Sequence, residues 1–329
     1  MSAAERPALE VRGLTISVPT RGGGRGIAVR DVSFSVPAGG RAGLVGESGS
    51  GKTMTSLAIM GLLPSAARVE AGEILLDGDN LLAKSQREMQ RLRGKRLSMV
   101  MQDPMTALDP CFTIGSQVAQ PLHQHRGLSR GKLNAAVVES LEQVRLSTAR
   151  DRLRQYPHQL SGGMRQRVTS AIALAGQPRV LIADEPTTAL DATTQVRYLK
   201  LLRDLQEQTN FALLLVAHDL MVVQHVCERV IVMYGGEVVE EGTAEDVFNA
   251  PRHPYTQALL GAIQVVDDTV TLTPINGNAP DVADVLPGCR FQPRCAHARD
   301  VCLTPPALVG EDDGPVTRCW GVQQGWLAT

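Results

Sequence analysis

Several features are missing from this 329-residue sequence, and each absence narrows its class. The longest apolar runs, such as "FALLLVA", are far shorter than the roughly 20 residues that span a bilayer. The N-terminal stretch "MSAAERPALEVRG" has neither a basic start nor an apolar segment, so we expect no signal peptide. The net charge of −1 gives no bulk electrostatic argument for binding nucleic acid or an anionic membrane. These absences predict a soluble, cytosolic protein.

The apolar content indicates a folded α/β chain. Hydrophobic residues make up 43% of the sequence and charged residues 20%, which is enough for a sizeable core. The runs "VLIAD" and "FALLLVAHD" are continuously apolar, as is typical of parallel strands covered on both faces. Between them, Ala192–Gln208 carries leucines at helical spacing. Two early stretches, "ALEVRGLTISV" and "IAVRDVSFSV", partly alternate as strands do.

The middle and the end of the chain differ from this pattern. From about Asp103 to His158 there is no strong strand signal, and one predicted helical face carries Leu133, Val137, Leu141 and Val144. We therefore expect a helical insertion in the α/β domain. At about Ala250 the composition changes, and the remaining tail has many prolines and four of the six cysteines. The tail is predicted to be a separate small appendage.

The stretch "GESGSGKT" (Gly46–Thr53) matches the phosphate-loop pattern G-x-x-x-x-G-K-[ST]. It lies between the buried strand "RAGLVG" and the apolar run "MTSLAIMGLL", which we predict to be a helix that Pro64 stops. The glycines let backbone N–H groups turn around phosphate oxygens, and the helix N-terminus adds partial positive charge. Lys52 would reach the outer phosphates and the Thr53 hydroxyl would bind Mg²⁺. The alternative, a glycine-rich turn with an incidental lysine, does not explain the flanking strand and helix.

Two carboxylates follow the apolar strand in "VLIADEP" (180–186). A strand that ends in acidic residues delivers them to the edge at which α/β sheets bind ligands. Asp184 suits the shell of a Mg²⁺ ion, and Glu185 suits a role in orienting and deprotonating water. In isolation such a pair is commonly a surface feature, but here it follows a phosphate loop.

The stretch "YPHQLSGGMRQRV" (Tyr156–Val168) decides between the phosphate-loop families. It contains the "LSGG" signature, and with the other motifs the sequence resembles the ATP-binding subunits of ABC transporters. Gln102 in "MVMQDPMTALDP" fits the family's Q-loop, "TTALD" (187–191) its D-loop, and His218 in "LLLVAHD" its switch histidine. The motifs span about Ala8 to Gly242 in the family's order, which is far more specific than any one of them.

The resemblance implies the fold and the domain division. It implies an α/β P-loop ABC ATPase core, with a mixed sheet, helices and N-terminal antiparallel β hairpins. An α-helical subdomain and a small Cys-rich C-terminal extension would complete the chain. The nucleotide-binding domain is then expected over residues 1–250, with the helical subdomain inserted at about 103–165, and the extension over 251–329.

The resemblance also implies a head-to-tail dimer, in which ATP lies between one chain's phosphate loop and the other's signature. Glu185 would be the general base, His218 would hold the γ-phosphate, and Gln102 would sense the γ-phosphate and the metal. The implied nucleotide-binding residues are Gly46, Glu47, Ser48, Gly49, Ser50, Gly51, Lys52, Thr53, Asp184, Ser161, Gly162, Gly163 and Asp191. The implied Mg²⁺ ligands are Thr53, Gln102 and Asp184.

The sequence departs from the family at two positions. Many members stack adenine on an aromatic side chain in the first hairpin, but here Val18 lies near the expected place. An apolar contact would have to replace the stacking. Met164 stands in the signature where many members have Gln, while the serine and glycines are intact.

The signature stretch, "DEPTTALD" and the tail resemble most closely the ATPases of di- and oligopeptide importers. The tail segments are "APRHPYTQALLGAI" (250–263) and "LPGCRFQPRCAHARDVC", although "HPYTQALL" read alone is an ordinary Pro-started amphipathic helix. The resemblance implies an ATPase coupled to transport at the cytoplasmic face of the membrane. Its expected partners are two transmembrane permease subunits, a second ATP-binding subunit that we expect to be a paralogue, and indirectly an extracytoplasmic substrate-binding protein. Docking is expected near residues 101–110.

The tail cysteines Cys289, Cys295, Cys302 and Cys319 are spaced C-x5-C-x6-C-x16-C. Zinc sites usually contain C-x₂₋₄-C pairs, which are absent, but four thiolates suit either zinc or a [4Fe–4S] cluster. Resemblance to importer ATPases with a cluster in this extension favours [4Fe–4S], with zinc and then unmetallated thiols as the alternatives. His297 is expected to be a bystander or a substitute ligand. Cys111 and Cys227 are expected to be buried thiols.

Other functions stay open at this stage. The same machinery could import nickel, opines or metallophores, because cargo is selected by subunits outside this chain. A soluble ABC ATPase acting on nucleic acid or ribosomes is the competing class. Such proteins usually carry two ATP-binding domains or a long coiled-coil insertion, and a basic patch. None of these features is present in the sequence, so no nucleic-acid partner is expected.

Overall fold

The computed structural model describes residues 6–266, 269–272, 275–284, 286–310 and 314–327. The strands are β1 (Leu9–Pro19), β2 (Arg25–Val36), β3 (Arg41–Val45), β4 (Arg68–Leu76), β5 (Asp79–Asn80), β6 (Leu97–Val100), β7 (Val180–Asp184), β8 (Ala212–Ala217), β9 (Arg229–Tyr234), β10 (Glu237–Thr243), β11 (Ile263–Val266), β12 (Thr269–Leu272), β13 (Val309–Gly310) and β14 (Val316–Thr317). The helices are α1 (Lys52–Met60), α2 (Gln86–Leu92), α3 (Pro104–Ala107), α4 (Ile114–Arg126), α5 (Arg130–Gln143), α6 (Ala149–Arg152), α7 (Gly162–Leu174), α8 (Ala192–Thr209), α9 (Leu220–Gln224), α10 (Ala244–Asn249), α11 (Pro254–Gly261) and α12 (Trp320–Gln323). The chain is therefore mixed α/β, as the sequence predicted.

The chain divides into two compact units. The first unit comprises Met1–Leu9, Val36–Arg41 and Leu75–Val216. The second comprises Glu10–Ser35, Ala42–Ile74 and Ala217–Thr329. Each unit is built from segments that are distant in sequence, so neither corresponds to one continuous stretch.

Three parallel strands organise the first unit. β6 pairs with β7, and β7 pairs with β8, in parallel register. Every residue of β7 and β8 is buried, which explains why their sequences are continuously apolar. The predicted helix between them is α8, which begins where expected at Ala192 and ends one residue later than expected.

The middle of the first unit is helical, as the missing strand signal predicted. Residues 103–158 contain α3, α4, α5 and α6 and form no strand. Val137, Leu141 and Val144 are buried in one apolar cluster that α4 and α7 also enter, and Leu133 packs against it. The 3.6-residue period of α5 therefore marks the face that holds this helical region together.

The second unit contains the phosphate loop and the C-terminal tail. β3 pairs in parallel with β9, and β9 and β10 form an antiparallel hairpin. β14 then pairs with β10, placing Thr317 opposite Glu240, and β13 pairs with β14. The tail thus extends the sheet that carries the loop strand. Sequence periodicity did not reveal this, because β13 and β14 are only two residues long.

Helix α1 ends earlier than the apolar run suggested. The helix stops at Met60, and Gly61 adopts φ +63° in the left-handed region. The N–H of Gly61 bonds to the carbonyl of Ala58, and the N–H of Leu62 bonds to that of Leu57. This glycine cap, rather than Pro64, ends the helix.

The apolar cluster of the helical region predicts a stability difference between two leucines. Leu141→Ala should lower the free energy of unfolding by about 2–5 kcal/mol, since the side chain is fully buried and its loss leaves a cavity. Leu62→Ala removes the same atoms from a side chain that is 47% exposed, and should cost far less. Urea unfolding of both variants measures the difference, and equal losses would contradict the assigned packing.

Candidate phosphate-binding and thiol sites

The predicted phosphate loop lies directly between β3 and α1. β3 ends at Val45, the loop starts at Gly46, and α1 begins at Lys52. Gly46 has φ +154°, and a Cβ atom there would lie 2.1 Å from the carbonyl oxygen of Met233. The loop is therefore packed against β9 so closely that only glycine fits at its first position.

Lys52 is the buried cation of this loop. Its side chain is 4% exposed, and Nζ donates to the carbonyl oxygens of Gly46 at 2.7 Å and Glu47 at 2.9 Å. Ser50 is buried beside it, while Ser48, Gly49 and Thr53 are exposed. The helix N-cap is Gly51, which has no side chain to bond the first-turn N–H groups. The arrangement can attract an anion through the ammonium and the helix N-terminus.

Glu47 links the loop to the C-terminal tail. Its backbone N–H donates to the Tyr255 hydroxyl at 2.8 Å. Its carboxylate accepts from the Arg294 guanidinium, with 2.8 Å between Nη1 and Oε2 and 3.2 Å between Nη2 and Oε1. Neither residue was singled out from the sequence. They lie in the tail segments "HPYTQALL" and "LPGCRFQPRCAHARDVC", and neither pattern indicates a contact with the loop.

The first unit brings Gln102 and Glu185 together. β6 and β7 are in parallel register, with Val100 opposite Ala183. Gln102 lies two residues after Val100, and Glu185 lies two residues after Ala183. Gln102 Nε2 donates to Glu185 Oε2 at 2.9 Å, and Thr188 Oγ1 donates to the same oxygen at 3.1 Å. Gln102 and Glu185, which follow adjacent parallel strands, therefore meet at one edge of the sheet. Asp184, the last residue of β7, is 3% exposed.

Glu185 has an unusual backbone. Its φ is +43°, in the left-handed region that non-glycine residues rarely adopt, and its N–H donates to the carbonyl of Val216 at 2.8 Å. This turn directs the chain away from the strand immediately after Asp184. Strained residues of this kind concentrate at functional sites.

The signature serine begins a helix. Ser161 is the N-cap of α7, a helix of 13 residues, and its exposed side chain makes no capping bond. Gly162 and Gly163 form the first turn and are half-buried. Asp191 is the N-cap of α8, where its Oδ1 accepts from the N–H of Thr194 at 2.9 Å. This bond lowers the pKa of Asp191.

The remaining nucleotide residues lie in the second unit. His218 follows the last residue of β8 and is exposed. Val18 lies near the end of β1 and is half-buried, and the guanidinium of Arg25 bonds to the neighbouring Ser17. At this position the structure therefore presents the small apolar side chain of Val18 in place of an aromatic ring.

The four tail cysteines line one small cavity. Its walls also include His253, Phe291, Trp320 and Trp326. The N–H of Cys289 bonds to the carbonyl of Cys302 at 2.9 Å, so two of the cysteines are joined through the backbone. Burial, helped by the neighbouring thiols, raises the pKa of Cys289 to about 12. The pKa values of Cys295 and Cys319 are also raised, mainly by burial.

His253 is the buried histidine of this cavity. It is 1% exposed, and its Nδ1 accepts from the N–H of Tyr255 at 3.0 Å, which places its proton on Nε2. Burial lowers the pKa of His253 to about 3, so the ring is neutral. His297, the expected bystander, also lines the cavity and is exposed. Cys227 is buried as predicted, but Cys111 is exposed, and so is its apolar neighbour Phe112.

The donor atoms of the described residues do not gather around one point. Within the described ranges, no three His, Cys, Asp or Glu side chains lie close enough to hold a single metal ion. A zinc ion would need four donors at about 2.3 Å from one centre. The cysteines share a cavity, but they are not arranged as a single-ion site.

The loop, its buried lysine and the strained glutamate define the class of P-loop ATPases. Comparison with known proteins narrows this class. Residues 29–188 match the ABC transporter family, and residues 239–302 match the oligopeptide/dipeptide transporter C-terminal region. The structure is also similar to the dimeric post-hydrolysis ATP-binding cassette MJ0796 bound to ADP and Pi. That similarity has a TM-score of 0.64 at 28% identity, and covers 72% of this chain and 98% of the cassette.

Curated relatives match almost the whole chain. The dipeptide transport ATP-binding protein DppD of Bacillus subtilis is 44% identical, over 95% of this chain and 94% of the relative. The oligopeptide transport ATP-binding protein OppD of Salmonella typhimurium is 42% identical, over 95% and 93% respectively. The chain therefore belongs to the ATP-binding subunits of ABC transporters, in the group of dipeptide and oligopeptide transport ATP-binding proteins. None of the described helices is both long and apolar enough to cross a bilayer.

The packing of the loop predicts different effects at two of its glycines. Gly46→Ala should destabilise the protein by about 3 kcal/mol, because a new Cβ meets a backbone oxygen and φ is unfavourable for alanine. Gly49 has φ +80° but nothing within 4 Å of a new Cβ, so Gly49→Ala should cost only about 1–2 kcal/mol. Thermal unfolding without nucleotide compares them. A larger loss at Gly49 would contradict the close approach to Met233.

Proposed function

We propose that this chain is the ATP-hydrolysing motor subunit of an ABC importer of dipeptides or oligopeptides. The observation that carries ATP hydrolysis is the hydrogen bond between Gln102 and Glu185 at the end of paired parallel strands. Peptide cargo rests on the relatives and on the matched C-terminal region. No observation favours nickel, opine or metallophore cargo, or a non-transport ATPase.

The proposed reaction adds water to the γ-phosphorus of ATP and releases ADP and phosphate. Glu185 orients the attacking water and accepts its proton, and Gln102, which is bonded to the Glu185 carboxylate, senses the γ-phosphate and the metal. His218 stabilises the charge that develops on the γ-phosphate. Little covalent chemistry is asked of the protein, so positioning and charge supply most of the rate.

The phosphate groups are proposed to bind to the loop from Gly46 to Thr53. The buried ammonium of Lys52 and the N-terminus of α1 provide the positive charge. Mg²⁺ prefers oxygen ligands, and the exposed Thr53 hydroxyl and the carboxylate of Asp184 are of this type. When bound, the ion would neutralise phosphate charge; Gln102 is proposed as a further ligand.

A second ATP-binding subunit is proposed to complete the site. The exposed Ser161 hydroxyl and the first turn of α7 form an anion-binding helix end, with Gly162 and Gly163 allowing close approach. We assign this end, with Asp191 nearby in the D-loop, to nucleotide held by the partner's phosphate loop. The similar cassette is itself a dimer. A paralogue is the proposed partner, as in the resembling importers.

Docking on membrane subunits is proposed at the Q-loop. Met101 is 52% exposed and Phe112 is 57% exposed, so apolar side chains flank the segment between them. A protein contact at this segment would bury both side chains. The partners are two permease subunits, with a substrate-binding protein acting indirectly, which would place the chain at the cytoplasmic face of the membrane. Functionally, the chain then divides into residues 1–250, with the helical subdomain at about 103–165, and the extension 251–329.

The tail cysteines are proposed to hold a [4Fe–4S] cluster. Cys289, Cys295, Cys302 and Cys319 face one cavity and offer four soft ligands. Each thiolate of such a cluster binds a different iron, so the donors need not converge on one point. A bound cluster would supply folding energy to a tail with few apolar contacts.

Replacing the proposed base tests the hydrolytic assignment. Glu185→Gln should lower the steady-state ATPase rate by about 100-fold or more, since the amide cannot accept the proton from water. ATP binding should persist, and ATP should stabilise the dimer. Turnover by phosphate release and dimerisation by light scattering measure both effects.

The control is Glu139→Gln, which makes the same change at an exposed position on α5. It should retain the wild-type rate. A Glu185→Gln variant that hydrolyses ATP as fast as Glu139→Gln would rule out the proposed base.

The cysteine assignment has a spectroscopic test. Anaerobically purified protein should be brown, with broad charge-transfer absorbance near ~400 nm and iron bound. Cys302→Ser should bleach this absorbance, whereas Cys111→Ser, outside the cavity and exposed, should leave it intact. A colourless protein containing one zinc would replace the cluster with the alternative metal.

A further inference from the structure

We infer that Arg294 and Tyr255, both in the C-terminal extension, are positioning residues of the phosphate loop, so that nucleotide affinity depends on this extension. Tyr255 bonds to the backbone of Glu47, and Arg294 bonds to its side chain. The inference rests on the proposed role of the loop in binding ATP. It assigns a task to residues that neither contact the proposed hydrolytic groups nor belong to the loop.

Tyr255 fixes the backbone at the second position of the loop. Its hydroxyl accepts the Glu47 N–H at 2.8 Å, and the residue is fully buried. The ring cannot move freely, because Tyr234 lies 4.5 Å away and Phe291 lies 5.5 Å away between ring centroids. Tyr255 stands in the first turn of α11, which His253 caps. A rigid acceptor therefore orients one peptide of the loop.

Arg294 fixes the Glu47 side chain. Both guanidinium Nη atoms bond to the carboxylate, and the arginine side chain is only 6% exposed. Its other donors are also used: Nε bonds to the carbonyl of Asn276, Nη2 to that of Ile275, and Nη1 to the Tyr234 hydroxyl. Two parallel hydrogen bonds from the planar guanidinium both strengthen the ion pair and fix the position of the carboxylate.

The ion pair has an electrostatic consequence for an anionic ligand. Glu47 is a carboxylate within a loop that is proposed to surround phosphates, and its charge alone would repel them. Arg294 compensates that charge and keeps the carboxylate turned towards the tail. Removing the guanidinium leaves the Glu47 charge unpaired, which should weaken binding of nucleotide before it affects the hydrolytic step.

The same contacts begin beside the thiol cavity. Arg294 directly precedes Cys295, and His253, two residues before Tyr255, forms part of the cavity wall. Phe291 lies in that wall and also packs against Tyr234 and Tyr255. A single residue, Arg294, therefore connects Cys295, its neighbour in the chain, to Glu47. This placement explains why a tail without a large core is packed on the loop.

The test measures ATP affinity and turnover separately in the full-length chain. Arg294→Gln should raise the ATP Kd about tenfold, the effect expected for loss of one charge-assisted interaction. KM should rise with it, while kcat at saturating ATP should stay unchanged, because Glu185 and His218 are intact. Arg294→Lys keeps the positive charge but loses the planar two-pronged contact, so its ATP Kd should lie between those of wild type and Arg294→Gln. Tyr255→Phe keeps the ring and should raise the Kd less than Arg294→Gln does.

Two controls separate positioning from general damage. Arg299→Gln removes an exposed arginine of the same extension, which stacks on Trp326, and should keep the wild-type Kd. In a Glu47→Gln background, Arg294→Gln should add little further loss, since the charged pair is already broken. An equal loss in that background would mean that Arg294 acts through general stability, and would overturn the inference.

The remaining outcomes distinguish this inference from the proposed function. Lys52→Gln must abolish ATP binding if the loop binds phosphate. If wild type binds ATP, Lys52→Gln does not, and Arg294→Gln binds like wild type, the positioning role is wrong while the ATPase assignment stands. If Lys52→Gln and wild type bind ATP equally, the proposed nucleotide site itself fails.

Discussion

Burial of parallel strands on both faces is the constraint on which the proposed chemistry depends. A strand covered on both faces has room for polar groups only where it ends, so its functional residues must lie at or just beyond its last position. Gly46 follows β3, Gln102 follows β6 by two residues, Glu185 follows β7, and His218 follows β8. The buried strands thus fix the positions of the short polar segments that follow them. The contact between Gln102 and Glu185 is the clearest example of this.

The phosphate loop is held from both sides within the second unit. Met233 of β9 packs against Gly46 so closely that a side chain is excluded, while Tyr255 and Arg294 hold Glu47 from the tail. Rigid support of this kind is what a preorganised phosphate site requires, since the loop does not have to be ordered when the ligand binds. The C-terminal extension is therefore more than an appendage attached after the catalytic part of the chain. It supplies the two side chains, Tyr255 and Arg294, that bond to Glu47 of the loop.

The tail itself illustrates how a segment with few buried apolar side chains is stabilised. β14 pairs with β10, the aromatic rings of Phe291, Tyr234 and Tyr255 pack together, and Arg294 uses all its donors. The four cysteines then share a cavity with the neutral ring of His253. The number of thiols and the family resemblance indicated soft-metal chemistry, but only the fold shows that the thiols lie next to the residues that contact the phosphate loop.

The sequence alone determined the family, the strand–helix–strand core, the helical insertion and the positions of the phosphate-loop, carboxylate and signature residues. These features depend on local pattern: glycines within a loop, apolar runs of strand length, and leucines at helical spacing. Tertiary structure decided the rest. The left-handed turn at Glu185, the pairing of the two-residue strand β14 and the bonds from Arg294 and Tyr255 to Glu47 join residues through packing. Arg294 and Glu47 are separated by 247 positions, and no periodicity reports on a contact between residues so far apart in the chain.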